Sequence, residues 1–309
     1  MEAAVAALTP LAPLAALWLV VGAAIAIPIW YPRWTLRRAL SRGLPPSAIV
    51  TLRHYVPVYD RLEAAQKAQL QRLVIEFLHR KKFVGCAGLD VTDEMRVAIA
   101  GQACLLLLNR SARVYPSLRT ILLYPGAFAA ARKDVGPGGV ITDFRQTMLG
   151  ESWEDGRVVL SWDDAARGGL TWDGHNVVLH EFAHQLDSES GHTNGAPYLG
   201  SQESYRNWST VLSRDYAHLR RAAWMGSQDS VLDHYGATSP AEFFAVATET
   251  FYGKPWQLAE RHPALFGELA KYYRVDPRGW IDEPEREPAP LAEPVVAAPG
   301  TRSFAWAQW

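Results

Sequence analysis

The segment from His180 to His184 constrains this chain more than any other, because it reads His-Glu-Phe-Ala-His. Two histidines four residues apart on a helix project from one face and can bind one metal ion. In such sites the glutamate between them lies beside the open coordination position, where it can accept a proton from water. The spacing therefore predicts a catalytic site in which His180 and His184 bind Zn²⁺ and Glu181 is the general base.

The residues around the motif predict an amphipathic helix. At about 100° per residue, His180, His184 and Asp187 fall on one side, and Asp173 is the expected N-cap. The apolar residues gather on another side of this helix: Val178, Leu179, Phe182, Ala183 and Leu186. The alternative is a chance match in which the histidines are ordinary polar groups. Because ligands and core residues separate cleanly on the predicted helix, a zinc site is favoured.

Composition limits the remaining classes of function. The chain has 309 residues, enough for one large domain or for one domain with appendages. Its formal net charge is -1, so no global electrostatic argument supports nucleic-acid binding. Cys86 and Cys104 are the only cysteines, too few for a disulfide framework. Cys104 precedes four leucines and is expected to be a buried small hydrophobic residue.

The N-terminal region, residues 1–43, predicts a membrane anchor. Residues 11–30 contain no charged residue, and about 20 such residues can cross a bilayer. Four arginines follow between residues 33 and 42, and this asymmetry predicts a single pass through the inner (cytoplasmic) membrane with the catalytic domain facing the cytoplasm. A signal peptide, which usually has a cationic start, and a buried core helix are the alternatives.

The rest of the chain predicts an α+β fold that is mostly helical, with a small mixed sheet. Helices are expected near residues 60–82, 92–109, 203–224, 240–251 and 263–273. Residues 121–124 are typical of a strand, and residues 140–149 and 157–162 are expected to flank an Asp-Gly hairpin turn. This predicts a catalytic domain at residues 44–280 and a disordered Pro/Ala/Glu-rich tail at 281–309.

The residues alone leave more than one candidate for the third zinc ligand. Asp187, one turn beyond His184, is expected to orient an imidazole or cap the helix, and His192 to be an exposed loop residue. Glu242 follows Pro240 in the first turn of a predicted helix, and Glu249 lies two turns later on the same face. Spacing favours Glu242 as a ligand but leaves Glu249 open as a ligand or as a partner of a ligand.

Two segments carry a family resemblance. The run 179–187, with its two histidines, and the later run of Tyr235, Pro240 and Glu242 resemble the Mlc titration factor A family of peptidases, over roughly residues 49–277. The resemblance implies a zincin-like metallopeptidase of the gluzincin type. It implies zinc bound by His180, His184 and Glu242, Glu181 as general base, and Tyr235 stabilising the transition state. From the residues alone, Tyr235 is more typical of a packed aromatic with its hydroxyl at the surface.

The expected partner is a peptide or protein substrate, and the sequence leaves open whether the activity is aminopeptidase-like or internal. The resemblance also implies an alternative, a regulatory protein that binds and sequesters a transcriptional repressor, with peptidase activity secondary. A purely structural zinc site is a third reading, and the glutamate beside the expected open position argues against it.

Overall fold

The computed structural model describes residues 11–110, 113–126, 128–135, 141–148, 150–153, 156–227 and 229–284. Helices dominate this part of the chain. Ten α-helices occur in the described residues: α1 Leu11–Arg42, α2 Pro46–Tyr55, α3 Ala64–Arg80, α4 Asp93–Leu105, α5 Trp162–Thr171, α6 Val177–Ser188, α7 Gln202–Trp224, α8 Pro240–Gly253, α9 Pro255–Arg261 and α10 Pro263–Tyr273. Short 3₁₀ turns occupy Pro57–Arg61, His234–Ala237 and Pro277–Gly279. The α+β class with a mostly helical content is confirmed.

A small mixed sheet accompanies the helices. Its strands are β1 Lys82–Gly85, β2 Thr120–Tyr124, β5 Gly150–Trp153 and β6 Arg157–Ser161. The strand order is β1-β2-β6-β5, with β1, β2 and β6 parallel and β5 antiparallel to β6. A separate antiparallel pair joins β3 Phe128–Val135 to β4 Ile141–Met148. The helices that carry the candidate site follow this sheet in the chain.

The predicted hairpin is present, but its first strand is not the expected one. The turn joins β5 to β6, and Trp153 pairs with Arg157. The strand expected over residues 140–149 pairs instead with β3, upstream. The Asp-Gly signal specifies a turn but not how far each strand extends, since strand pairing depends on the partner that the rest of the sheet supplies.

The hydrophobic core surrounds α4 and α6. Every residue of α4 from Val97 to Leu105 is buried, and the three leucines that follow it are fully buried as well. Cys104 is buried as expected, and burial raises the pKa of its thiol well above the usual value. Phe182, on the apolar side of α6, packs edge-on against Tyr115 with ring centroids 4.7 Å apart. The helix with the His-Glu-x-x-His motif is therefore anchored in the core by its apolar side.

The N-terminal segment forms the helix α1, whose later turns contact the domain: Nε2 of His79, on α3, lies 3.3 Å from both Oγ1 of Thr35 and the carbonyl oxygen of Pro32. Among the side chains that the structure describes, no helix is apolar enough over a sufficient length to span a bilayer. The predicted anchor at residues 11–30 falls partly outside them, because the side chains of residues 11–16, 19, 25 and 29 are not described. The transmembrane helix is thus unsupported.

Most of the predicted disordered tail, residues 285–309, also lies outside the described residues.

Candidate metal centre

The helix α6 presents the motif, and its start is defined by Asn176. The side-chain oxygen of Asn176 accepts a hydrogen bond from the backbone N–H of Leu179 at 2.9 Å, while its amide donates to Gln102 at 2.8 Å. The expected cap, Asp173, was wrong, because it lies four residues before the helix and accepts from the N–H of His175 instead. Asparagine directly before an apolar periodic stretch is itself an N-cap signal, so the sequence did carry this information.

Three side chains from two helices converge at the polar side of α6. Nε2 of His180 lies 3.2 Å from Nε2 of His184, and Oε2 of Glu242 lies 2.9 Å from the first and 3.4 Å from the second. Glu242 is in the first turn of α8, where its backbone N–H donates to the N-cap hydroxyl of Ser239. This arrangement gives three potential ligand atoms within 4.8 Å of one another.

The spacing of these atoms fits a small four-coordinate cation. Ligand bonds of about 2.0–2.1 Å in a tetrahedron place the ligand atoms about 3.3 Å apart. The three observed separations, 2.9, 3.2 and 3.4 Å, lie around that value. Two imidazole nitrogens and one carboxylate oxygen also leave a fourth position for water or substrate, as catalytic metal sites require. The donor set and its geometry therefore fit a bound metal ion.

Charge around the site points to the same conclusion. Burial alone lowers the pKa of His180, but the carboxylates of Glu249 and Glu242 outweigh it and raise that pKa well above its usual value. Burial raises the pKa of Glu242. Hydrogen bonds with His180 and His184 lower it by more, and the pKa ends well below its usual range. Three carboxylates, including that of Glu181, thus surround two imidazoles, and a cation is the natural counter-charge.

Glu249 occupies the opposite edge of the His180 ring. Its Oε1 lies 2.7 Å from Nδ1 of His180, and its Oε2 accepts from the backbone N–H of Asn176 at 2.5 Å. A carboxylate that accepts a hydrogen bond from Nδ1–H favours the neutral tautomer in which Nε2 is unprotonated and directed toward the metal position. Position distinguishes the two glutamates, since Glu242 faces the same space as the two Nε2 atoms and Glu249 faces Nδ1 of His180.

The two remaining predicted site residues also lie near the centre. Glu181 is 4% exposed and stands between the two histidines on α6. Tyr235 belongs to the 3₁₀ turn before α8, and its ring centroid lies 6.0 Å from that of His180. With 48% of its surface exposed, Tyr235 is open to solvent beside His180. The structure thus brings all five predicted residues into one neighbourhood.

Asp187 and His192 do not join the metal group among the described residues. Asp187 is completely buried and accepts the backbone N–H of Gly195 at 2.6 Å, so it fastens the loop after α6. Burial raises the pKa of Asp187 to about 6, although the hydrogen bond from Gly195 acts in the opposite direction. His192 is exposed in that loop, as expected. The importance of Asp187 for the loop was not apparent from its spacing to His184.

Comparison with known proteins agrees with this geometry. Residues 31–274 match the model of a family described as glucose-regulated metallo-peptidase M90. The protein slr2042 of Synechocystis is 40% identical over 256 residues, covering 81% of this chain and 92% of its own. Mlc titration factor A of Klebsiella pneumoniae is 31% identical over 224 residues, which cover 72% of this chain and 84% of that protein. Mlc titration factor A of Yersinia pestis is 30% identical over 224 residues, which cover 72% of this chain and 82% of that protein. With its two histidines and a glutamate gathered as a metal site, this chain belongs to the M90 metallopeptidase family, the family of Mlc titration factor A.

Proposed function

We propose that this protein is a zinc-dependent metallopeptidase that hydrolyses peptide bonds at the centre formed by His180, His184 and Glu242. The observation that carries the proposal is the convergence of these three ligand atoms beside the buried Glu181. Two nitrogens and one carboxylate oxygen are a ligand set of zinc peptidases. When bound, zinc would supply Lewis-acid chemistry, polarising a carbonyl oxygen and making a water molecule more acidic.

The protein's own residues then have separate tasks. Glu181 accepts a proton from the attacking water and passes it to the departing amine, as a general base and then a general acid. The hydroxyl of Tyr235 donates a hydrogen bond to the substrate oxygen that becomes negatively charged, a contact typically contributing about 3 kcal/mol in the transition state. Glu249 holds the imidazole of His180 in one orientation.

The partially open position of Tyr235 supports its task, since a residue that meets substrate needs access to solvent. Its half-exposed ring lies against His180 and belongs to a turn that Asp233 stabilises by accepting the N–H of Tyr235 at 2.7 Å. The turn leads directly into α8, which carries Glu242. Tyr235 is therefore held near the centre by the same local segment that positions a ligand.

The direct test combines metal analysis with hydrolysis of a peptide library by the full chain. We expect one zinc per chain, cleavage that a chelator abolishes and zinc restores, and no cleavage without metal. Libraries with free and with blocked N-termini distinguish removal of N-terminal residues from internal cleavage, because only the former requires a free amine. A chain that holds no metal, or that cleaves equally well after chelation, would contradict the proposal.

A second candidate function is sequestration of a transcriptional regulator. It is favoured by the relatives named Mlc titration factor A, a name that describes titration of Mlc. If binding is the main function, a variant that lacks hydrolysis still relieves repression when expressed with the regulator. If hydrolysis is the main function, that relief disappears together with the peptidase activity.

The location of the protein stays a prediction. An inner-membrane position with the catalytic domain facing the cytoplasm rests only on the apolar block and the following arginines. Cell fractionation, followed by protease treatment of intact spheroplasts that carry a C-terminally tagged protein, tests it. A protected tag in the membrane fraction supports the predicted topology, and a tag in the soluble fraction contradicts it.

A further inference from the structure

A cavity of about 500 Å³ opens beyond the C-terminal end of α6, between α7 and α10. None of the five residues of the proposed peptidase site lines it. Its volume falls within the range of sites that hold small organic ligands. The lining residues used below are Arg110, Arg113, Glu189, Lys271, Tyr272 and Arg274.

Three of these residues keep buried polar atoms for which the described part of the chain offers no well-aligned hydrogen-bond partner, although the Arg110 guanidinium and the Tyr272 hydroxyl interact with each other. They are Nη1 of Arg110, Oε1 of Glu189 and the hydroxyl of Tyr272. Buried polar groups in native proteins are nearly always paired, because leaving one unpaired destabilises the fold. Three such atoms, on residues from separate segments that all line one cavity, indicate a site whose partners come from outside the chain.

The Arg110 guanidinium is held in place and kept charged. It lies over the ring of Tyr272, with its central carbon 4.3 Å from the ring centroid. Tyr272 is itself 9% exposed, and burial raises the pKa of its hydroxyl, so it remains a hydrogen-bond donor at neutral pH. Stacking of this kind orders a guanidinium before any ligand arrives.

The charge of the cavity is positive, although the whole chain has a net charge of -1. Lys271 is paired with Glu268 at 2.7 Å. Arg110, Arg113 and Arg274 make no ion pair with any residue that the structure describes. Of the two carboxylates on the cavity wall, that of Glu268 is paired with Lys271, which leaves Glu189, directly after α6, to face the three guanidinium groups. The cavity thus offers an excess of cationic donors and one anionic acceptor.

We propose that this cavity binds a small organic dianion that also carries a hydroxyl or ammonium group. The anionic end pairs with the guanidinium groups and the Tyr272 hydroxyl, and the donor group of the ligand reaches Glu189. Hydroxydicarboxylates and phosphate monoesters of polyols share this chemistry. The site is distinct from the peptidase centre, and its ligand meets the end of the helix that carries His180 and His184.

Isothermal titration calorimetry with the full chain separates the two sources of the dianion. The probes form two matched pairs. L-malate is compared with succinate, and glycerol 3-phosphate is compared with methyl phosphate; the second compound of each pair lacks the hydroxyl group. We expect saturable binding of L-malate or glycerol 3-phosphate, and binding of the matched compound weaker by about tenfold, as one lost charged hydrogen bond predicts. Absence of binding by all four compounds overturns the proposal, and equal affinity within a matched pair overturns the contact with Glu189.

Tyr272→Phe distinguishes a ligand contact from a structural one. Because the hydroxyl makes no well-aligned hydrogen bond within the described residues and interacts there with the Arg110 guanidinium, this variant should keep its thermal midpoint nearly unchanged while binding the better probe about tenfold more weakly. Arg274→Asn should weaken binding similarly, and asparagine tolerates the positive φ of +57° at that position. Arg53→Gln, which removes a cation from an exposed pair with Asp60, is the control. Unchanged affinity in both cavity variants, or equal loss in the control, overturns the assignment. None of these measurements uses peptide hydrolysis, so they stand independently of the proposed peptidase activity.

Discussion

Oε1 of Glu249 lies 2.7 Å from Nδ1 of His180, and the other oxygen of the same carboxylate accepts the backbone N–H of Asn176. One side chain from α8 therefore fixes both the orientation of a proposed metal ligand and the first turn of the helix that carries it. This contact couples the packing of α6 and α8 to the direction of an imidazole nitrogen.

Glu249→Gln should weaken zinc binding by about 10- to 100-fold, the usual effect of losing a carboxylate behind a metal-bound histidine. Glu242→Gln should weaken zinc binding more than Glu249→Gln does, since it removes a proposed oxygen ligand. Competition with a chelating dye measures both affinities. Near-stoichiometric zinc in Glu242→Gln, together with loss of zinc in Glu249→Gln, would exchange the two assignments.

Glu181→Gln should retain zinc and lose hydrolysis. The amide has a similar shape but cannot accept a proton, so turnover should fall by about 10²- to 10⁴-fold. Metal analysis and peptide turnover are measured on the same preparation, with the exposed Glu203→Gln on α7 as control. Turnover within a few-fold of the wild-type rate would remove Glu181 from the mechanism.

Tyr235→Phe should lower kcat by about a hundredfold and change KM much less. A hydrogen bond formed mainly in the transition state is expressed in the rate of the chemical step, not in substrate binding. Steady-state kinetics with one defined peptide measures both constants. A variant with nearly normal kcat would leave Tyr235 as a packed aromatic residue beside His180.

Gly195→Ala should destabilise the fold by about 2 kcal/mol or more. Gly195 has a φ of +79°, and a Cβ atom there would lie 2.4 Å from the carbonyl oxygen of Pro240. Gly200→Ala is the matched control, because Gly200 has a φ of +81° but open space around the added Cβ atom. This variant should destabilise the fold by only about 1 kcal/mol. Urea unfolding compares the two. Equal losses would mean that the contact with Pro240 relaxes.

Stability at acid pH should depend on Asp215. Burial raises the pKa of Asp215, but hydrogen bonds from His262 and Arg214 outweigh it and leave the pKa below its usual value. A carboxylate with a lowered pKa in the folded state stabilises the fold above its unfolded pKa, near 4, and this contribution disappears as pH falls through the folded pKa.

Asp215→Asn should therefore unfold at a lower temperature than the wild type at pH 7, and the difference should narrow below about pH 4. Thermal unfolding followed by circular dichroism between pH 3 and 7 measures it. Asp60→Asn is the control, because the pair of Asp60 with Arg53 is exposed and contributes little. A difference that stays constant over this range would show that Asp215 acts through packing and not through its charge.

The sequence by itself determined which residue types the proposed centre offers. The residue types and four-residue spacing of His180 and His184 place both imidazoles on one helix face, and the apolar periodicity around them directs the opposite face to the core. These are local properties of a helix. Local signals likewise predicted most long helices, including α4, and the strand β2.

Only the tertiary structure decided which glutamate lies beside the two histidines as the proposed third ligand. Glu242 and Glu249 share one face of α8, and sequence spacing barely distinguishes them; the packing of α8 against α6 places one carboxylate at Nε2 and the other at Nδ1 of His180. The partner of β4 and the contact of Asp187 with the loop at Gly195 were decided in the same way. Such contacts join segments that are distant in the chain, and their geometry depends on how whole elements pack, which no local pattern encodes.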